Sequence, residues 1–334
     1  MPLILDRNHV LDVYAEAAGR KWVIPAFNAE NLTTTEAILS AAMEYGAGTG
    51  QPDIPVTIGI TNLYSHRSQS VYYTHTRLWD IGLKLFLSDI EVLTAPGSPF
   101  EKLRVMIHLD HVQWDADKPL LEWDMNRFSM IMYDASSLPL DDNIEFTARF
   151  VENFGSKIVI EGACDEIVDA TGDVRSELTT PAQAEKYLGQ TGVDLIVANL
   201  GTEHRASAAD LKYHGDLARK ISSITGPKLV LHGTSSVSKE QITGLFDDGI
   251  VKVNIWTTLE RDSSPVLFED MVRNASGVAG IEKTEHMVEK GLLGRNAGRH
   301  SQASLSHYTT TYRQEIIFNE MKRIVAGYFD LWYK

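Results

Sequence analysis

The chain of 334 residues holds one cysteine, Cys164, so no disulfide can form within it. That excludes a disulfide-stapled secreted scaffold and fits a reducing compartment. Long apolar runs are also missing. The opening stretch, MPLILDRNHVLDVYAEAAG, has only a short apolar run before Asp6, too little for the core of a signal peptide. Nowhere do the ~18 consecutive apolar residues of a membrane span occur. Basic charge is in deficit: 31 Lys and Arg stand against 45 Asp and Glu, a net charge of -14. Such a surface repels nucleic acid and anionic membrane at long range, so neither is expected as a partner. These absences leave a soluble protein, expected in the cytoplasm. Its 43% hydrophobic and 23% charged residues are ordinary for a packed fold and exclude disorder.

What is present is an alternation of short apolar runs with helical patterns. The runs are 22–27 (WVIPAF), 55–60 (PVTIGI), 104–109 (RVMIHL), 129–133 (SMIMY), 157–160 (KIVI), 194–199 (DLIVAN), 228–231 (KLVL) and 250–254 (IVKVN). Most are fully apolar, as strands buried on both faces must be. Helices are expected between them: Thr34–Tyr45, Asp141–Phe154 capped by Asp141, Thr180–Gln190 opening on Thr-Pro, and Ser238–Asp248 with Ser238 and Gln241 as a capping box. The first strand lacks the GxGxxG turn of a nucleotide-binding sheet. The pattern predicts an α/β fold, a (β/α)8 TIM barrel over about 22–261. Residues 61–99 read as an excursion between the second and third strands. Residues 262–310 read as irregular, and Thr311–Tyr333 as a long amphipathic helix. No linker divides the chain, so residues 1–334 are expected to form one barrel domain, with the insert and C-terminal helices of 262–334 as its extension.

In a barrel of this kind the chemistry lies at the carboxyl ends of the strands. In order, those ends carry Asn28; Thr61 and Asn62; His108, Asp110 and His111; Asp134 and Ser136; Glu161; Gly201, Thr202, Glu203 and His204; His232, Gly233, Thr234 and Ser235; then Asn254, Trp256 and Thr257. Of 11 histidines, His108, His111, His204 and His232 fall here, on three different strands. Neutral imidazoles converging without thiolates suit zinc, which in catalytic sites takes three protein ligands and keeps one position open.

At these residues the sequence resembles the class II, zinc-dependent ketose-bisphosphate aldolases, which cleave fructose- or tagatose-bisphosphate. Their phenylalanine-asparagine strand end matches AFNAEN, and their HLDHG matches HLDHV. SVMIDGS followed by LP and an NI helix matches SMIMYDASSLPLDDNI. TDPxxA…TGVDxLAVAIGTxHG is echoed by TTPAQAEKYLGQTGVDLIVANLGTEHR, and LVLHGxS with KVNxxT by LVLHGTS and KVNIWT. The resemblance implies His111, His204 and His232 as ligands of one Zn2+ per subunit, with a monovalent cation as a further candidate. It implies Asp110 as the group that moves the C4 hydroxyl proton, and Asn254 as a contact to the ketose. Gly201, Gly233, Ser235 and Thr257 correspond to the phosphate cradle, and Asn28 and Thr61 to further substrate contacts. The implied activity is that of an aldehyde-lyase in carbohydrate metabolism, of the glycolytic type. A ketose (bis)phosphate would be cleaved reversibly to dihydroxyacetone phosphate and an aldehyde, with zinc as the Lewis acid that stabilises the enediolate. Family members are homodimers or homotetramers.

Three departures mark this chain. Arg205 replaces the glycine after GTxH, and could offer phosphate or carboxylate a guanidinium fork in its place. The strand-five motif reads IEGACDEIVDATGD, so the family's mobile-loop glutamate has no clean match, and Glu166, Asp169 and Asp173 are the acids nearby. Trp256 stands where many members have Asp, Asn or Ala. Other readings stay open: a related barrel acting on a non-phosphorylated or carboxylated sugar, a metal-dependent hydrolase, or a sugar-phosphate-binding protein without catalysis.

Overall fold

Each of the eight apolar runs becomes a parallel strand, and the strands close on one another in chain order in the computed structural model. The structure describes residues 2–165, 178–202, 213–234, 237–299 and 301–334. The chain opens with α1 (Arg7–Gly19), β1 (Ile24–Asn28), α2 (Leu32–Thr49), β2 (Pro55–Thr61), α3 (Gln69–Tyr72), α4 (Trp79–Leu93) and β3 (Arg104–Gln113). Then follow β4 (Met130–Asp134), α5 (Leu140–Phe154), β5 (Val159–Ala163), α6 (Pro181–Thr191), β6 (Leu195–Val197), α7 (Gly215–Thr225), β7 (Leu229–Leu231), α8 (Lys239–Ile242) and β8 (Ile250–Ile255). The C-terminal extension comprises α9 (Thr257–Arg273), α10 (Ala275–Ala279), α11 (Ile281–Glu289), α12 (Leu305–Tyr308) and α13 (Thr310–Trp332). β8 pairs with β1 from Ile24–Lys252 to Phe27–Ile255, which closes the ring. Closure leaves no exposed sheet edge.

The helix ends follow local chemistry. Thr180 and Gln183 form a reciprocal capping box at α6, with Pro181 in the first turn. α5 begins one residue earlier than expected. Pro139 is its N-cap, and Asp141 lies inside the first turn, where its charge still complements the helix dipole. α8 is far shorter than the expected Ser238–Asp248. Ser238 caps it by accepting from Gln241 N, but it ends at Ile242. The Gly244 N–H then turns back to the Gln241 carbonyl at 3.1 Å, and Gly249 enters β8 at a φ of 89°. The stretch read as irregular is largely helical, in α9 to α12. α13 matches its expected span within a residue and packs across α2 and α9. There Phe329 meets Phe27 edge-on at 5.9 Å, and Tyr333 stacks on Trp22 at 4.5 Å. Among the described residues no helix is long and apolar enough to cross a membrane.

The barrel interior holds a charged core. Glu161 of β5, His108 of β3 and Lys252 of β8 are all fully buried. The Lys252 ammonium donates to Glu161 Oε2 at 2.6 Å and lies 3.4 Å from each ring nitrogen of His108. Burial and the neighbouring Lys252 push His108 down to about 3, so it is neutral. Burial alone would raise Glu161, but Lys252 and His232 outweigh it and hold the carboxyl at about 2. Such a pair earns little against an apolar replacement, whereas breaking it strands a charge. Lys252→Met should therefore cost about 3–5 kcal/mol of unfolding free energy, and adding Glu161→Leu should recover most of it. Denaturant titration of the single and double variants reads this directly; equal stability of the single variant and the parent would contradict it.

Candidate functional site

Adjacent residues of a strand face opposite sides of the sheet. Asp110 and His111 are adjacent in β3, yet both line the same pocket at the barrel mouth. The cause is an irregularity in β3. Its register with β4 passes from Leu109–Ile131 to Val112–Tyr133, so β3 carries one more residue than its partner across this step. His111 takes up the extra residue with a φ of 49°, in the left-handed region. A bulge of this kind re-aims a side chain, and the left-handed backbone costs a non-glycine residue roughly 1–2 kcal/mol. The strand read as ending at Leu109 thus continues to Gln113, with the HLDHV motif inside it.

Each side chain is then fixed by neighbouring strands. The Asp110 carboxylate accepts from Asn28 Nδ2 at 2.7 Å and from Asn254 Nδ2 at 3.0 Å, one amide on each oxygen. Burial would raise its pKa, but His111, His108, His232 and Lys252 hold it well below the usual carboxylate range. The other ends of the two amides, Asn28 Oδ1 and Asn254 Oδ1, are buried with no hydrogen-bond partner among the described residues. Asn28 lies against Gly59 of β2, where an added Cβ would stand 2.2 Å from Oδ1.

His111 Nδ1 lies 2.7 Å from Asp134 Oδ2 at the end of β4. Asp134 is itself held by Gln113 Nε2 at 3.1 Å and by the Ser136 hydroxyl at 2.6 Å. Tyr64 stacks flat on the His111 ring, with centroids 4.0 Å apart and planes 4° from parallel. His232 Nε2 lies 3.3 Å from Glu161 Oε1, so the charged core described above also steadies this imidazole. The two imidazoles meet edge to face at 5.0 Å. Ligand atoms of Asp110, His111 and His232 all lie within 4.8 Å of one another, and all three residues are buried. Carboxylates behind the imidazoles are the usual outer support of a metal ligand. This donor set fits a divalent ion: through Nε2 for His111 and Nδ1 for His232, since the other nitrogens face Asp134 and Glu161.

Of the residues singled out from the sequence, Asn28, Thr61, Asp110, His111, His232, Gly233, Asn254 and Thr257 line one pocket of about 620 Å³. Gly233 there has a φ of 67°, and Thr257 opens α9. Gly201 has a φ of 84° after β6 but is not part of that lining. The Thr61 hydroxyl donates to the Arg67 carbonyl and accepts from Gln69 N at 3.1 Å, which ties down the loop after β2. His204, Arg205, Ser235, Glu166, Asp169 and Asp173 lie outside the described residues. Sequence reasoning placed Asp134 and Glu161 at strand ends without a role and missed Tyr64, Gln113, Arg67 and Lys252. For Asp134 the available signal was a carboxylate at the end of β4, the strand next to the one that carries His111.

The sequence model of the family described as "Fructose-bisphosphate aldolase class-II" matches residues 8–292. The fructose-bisphosphate aldolase of Giardia intestinalis is 28% identical over 247 residues, 72% of this chain and 68% of that protein. That of Geobacillus stearothermophilus is 28% identical over 250 residues, covering 72% and 78% of the two chains. Among solved structures, the fructose-bisphosphate aldolase of Campylobacter jejuni superposes with a TM-score of 0.75 at 16% identity, covering 99% of this chain and 95% of that one; this likeness speaks for the fold. With these matches, the chain belongs to the class II fructose-bisphosphate aldolase family and is a metal-dependent aldolase, a lyase.

Proposed function

We propose that the enzyme cleaves a ketose phosphate reversibly between C3 and C4, giving dihydroxyacetone phosphate and an aldehyde. The observation that carries this reading is an ionised carboxylate, Asp110, clamped by two amides beside two carboxylate-backed imidazoles. His111, His232 and His204 would hold the ion, and three imidazoles favour zinc. When bound, zinc supplies a Lewis acid for the ketone of the substrate. Asp110 takes the proton of the C4 hydroxyl. A weak base suffices there, because that proton becomes strongly acidic as the oxygen turns into the aldehyde carbonyl. Asn28 and Asn254 aim Asp110, and their buried carbonyl oxygens are suited to accept substrate hydroxyls. Gly201, Gly233, Ser235, Thr257 and Arg205 are assigned to the phosphate. Glycines at positive φ let backbone amides approach an anion closely, and the α9 N-terminus adds donors. Glu166, Asp169 and Asp173 remain the candidates for the second proton transfer. The family resemblance supports a cytoplasmic homodimer or homotetramer built on one barrel domain, with a monovalent cation beside the zinc as a further candidate.

Chelation should abolish cleavage of ketose phosphates, and zinc should restore it above other divalent ions. His232→Ala should lose both metal and cleavage. Asp110→Asn should keep the metal, measured by mass spectrometry, and lose about 10²–10⁴-fold in kcat. Cleavage surviving in either variant contradicts the assignment. Gly59→Ala tests the aim of Asp110 separately. Its methyl must displace the Asn28 amide, so kcat/KM should fall roughly 10–100-fold with metal content unchanged. Parent-like kinetics in Gly59→Ala would show that the Asn28 clamp is not needed.

A further inference from the structure

One face of the His111 ring is covered by a side chain that the reaction above does not use. Tyr64, in the loop after β2, lies flat on that ring, with centroids 4.0 Å apart and planes 4° from parallel. The contact of His111 Nδ1 with Asp134 Oδ2 at 2.7 Å sets where that nitrogen points. It does not by itself fix the plane of the ring, which can still turn about the line of the hydrogen bond. The flat stack fixes the plane, and with it the direction in which Nε2 faces the pocket. This support falls at the strained point of β3, where His111 has a left-handed φ of 49°.

The loop that carries Tyr64 is held on both sides of it. Asp117, buried after β3, ties the loop to the strand of His111. Its Oδ1 accepts from Asn62 Nδ2 at 2.8 Å and from Leu63 N at 3.2 Å, and its Oδ2 from Gln113 N at 2.8 Å. The residue before Tyr64 and the residue two beyond His111 thus bind one carboxylate. Beyond Tyr64 the loop is pinned to the end of β1. There the Arg67 guanidinium grips buried Glu30, with Nε 3.0 and 3.1 Å from the two carboxylate oxygens. Gln69 Nε2 donates to the same Glu30 at 3.2 Å. These bonds keep the phenol ring in place over the imidazole.

Tyr64, His66 and His111 line both the pocket described above and a second cavity of about 520 Å³. A side chain at 64 without a flat ring would leave the His111 imidazole room to turn on the face it now buries. The electronics also match. An imidazole that gives its lone pair to a cation becomes electron-poor, and the electron-rich face of a phenol is a favourable partner for it.

We propose that Tyr64 is a positioning residue for the metal site: by stacking on His111 it fixes the ring plane in which Nε2 meets a divalent ion. This role rests on the reading of His111 as a ligand of that ion.

Zinc affinity is measured by chelator competition in the parent and in Tyr64→Phe, Tyr64→Leu and Tyr64→Ala, with thermal unfolding of the metal-free proteins alongside. Tyr64→Phe keeps the flat ring and should bind zinc like the parent. Tyr64→Leu fills space but cannot stack, and should bind zinc about 10–100-fold more weakly, as should Tyr64→Ala. With cobalt in place of zinc, the visible ligand-field bands of Tyr64→Phe should match the parent and those of Tyr64→Leu should shift. A merely structural role would lower the Tm and leave the affinity and the bands of the folded protein unchanged. Tyr64→Leu keeps most of the apolar volume, so it decides the matter even if Tyr64→Ala folds poorly. Parent-like affinity and bands in Tyr64→Leu overturn the proposal, as does a loss in Tyr64→Phe equal to that in Tyr64→Leu. A parent that binds no zinc overturns the metal reading as well; a parent that binds zinc no better than Tyr64→Leu overturns the role of Tyr64 alone.

Discussion

Two consecutive side chains of a strand ordinarily face opposite ways, and the mouth of this barrel depends on the place where they do not. Asp110 and His111 turn to one pocket because β3 carries an extra residue against β4 and His111 accepts a left-handed backbone. The strain is roughly 1–2 kcal/mol, small beside the stability of a domain with so large a buried core. What it brings is a carboxylate and an imidazole side by side on one rigid strand. Strands position groups more precisely than loops, and proton transfer beside a metal needs that precision.

The groups brought together there are kept in place by charge from beneath. Lys252 and Glu161 sit buried in the centre of the barrel, and Glu161 passes the influence upward to His232. Asp134 does the same for His111 from the next strand. Each imidazole therefore has a carboxylate on one nitrogen and the pocket on its other side, an arrangement that fixes tautomer and ring angle before any ion arrives. Lys252 is bound into this network by its pairing with Glu161. A compensated charge recurs at the pocket wall, where Arg67 is paired with the buried Glu30.

Much of this was legible in the sequence because the barrel writes itself in period and length. Eight apolar runs gave eight strands, and the hydroxyl-proline start of α6 and the amphipathic span of α13 were found within a residue. What stayed hidden has physical causes. The polar letters after Leu109 disguised four further residues of strand, since a bulged strand breaks the alternation by which strands are read. Gly244 ended α8 early, although the capping residue Ser238 was in place. The glutamate and the arginine of the pocket wall, Glu30 and Arg67, come from separate loops that the pairing of β1 with β2 brings together. His204, Arg205 and Ser235 were singled out by motif and lie outside the described residues.

On this reading, imidazoles from separate strands share one ion next to a clamped carboxylate. Crystals of the zinc-loaded enzyme, with anomalous diffraction recorded on both sides of the zinc edge, would locate that ion. A single strong zinc peak should stand within bonding distance of His111 and His232, with Asp110 still between the amides of Asn28 and Asn254. A peak elsewhere in the barrel, or His111 and His232 turned away from a common ion, would contradict it.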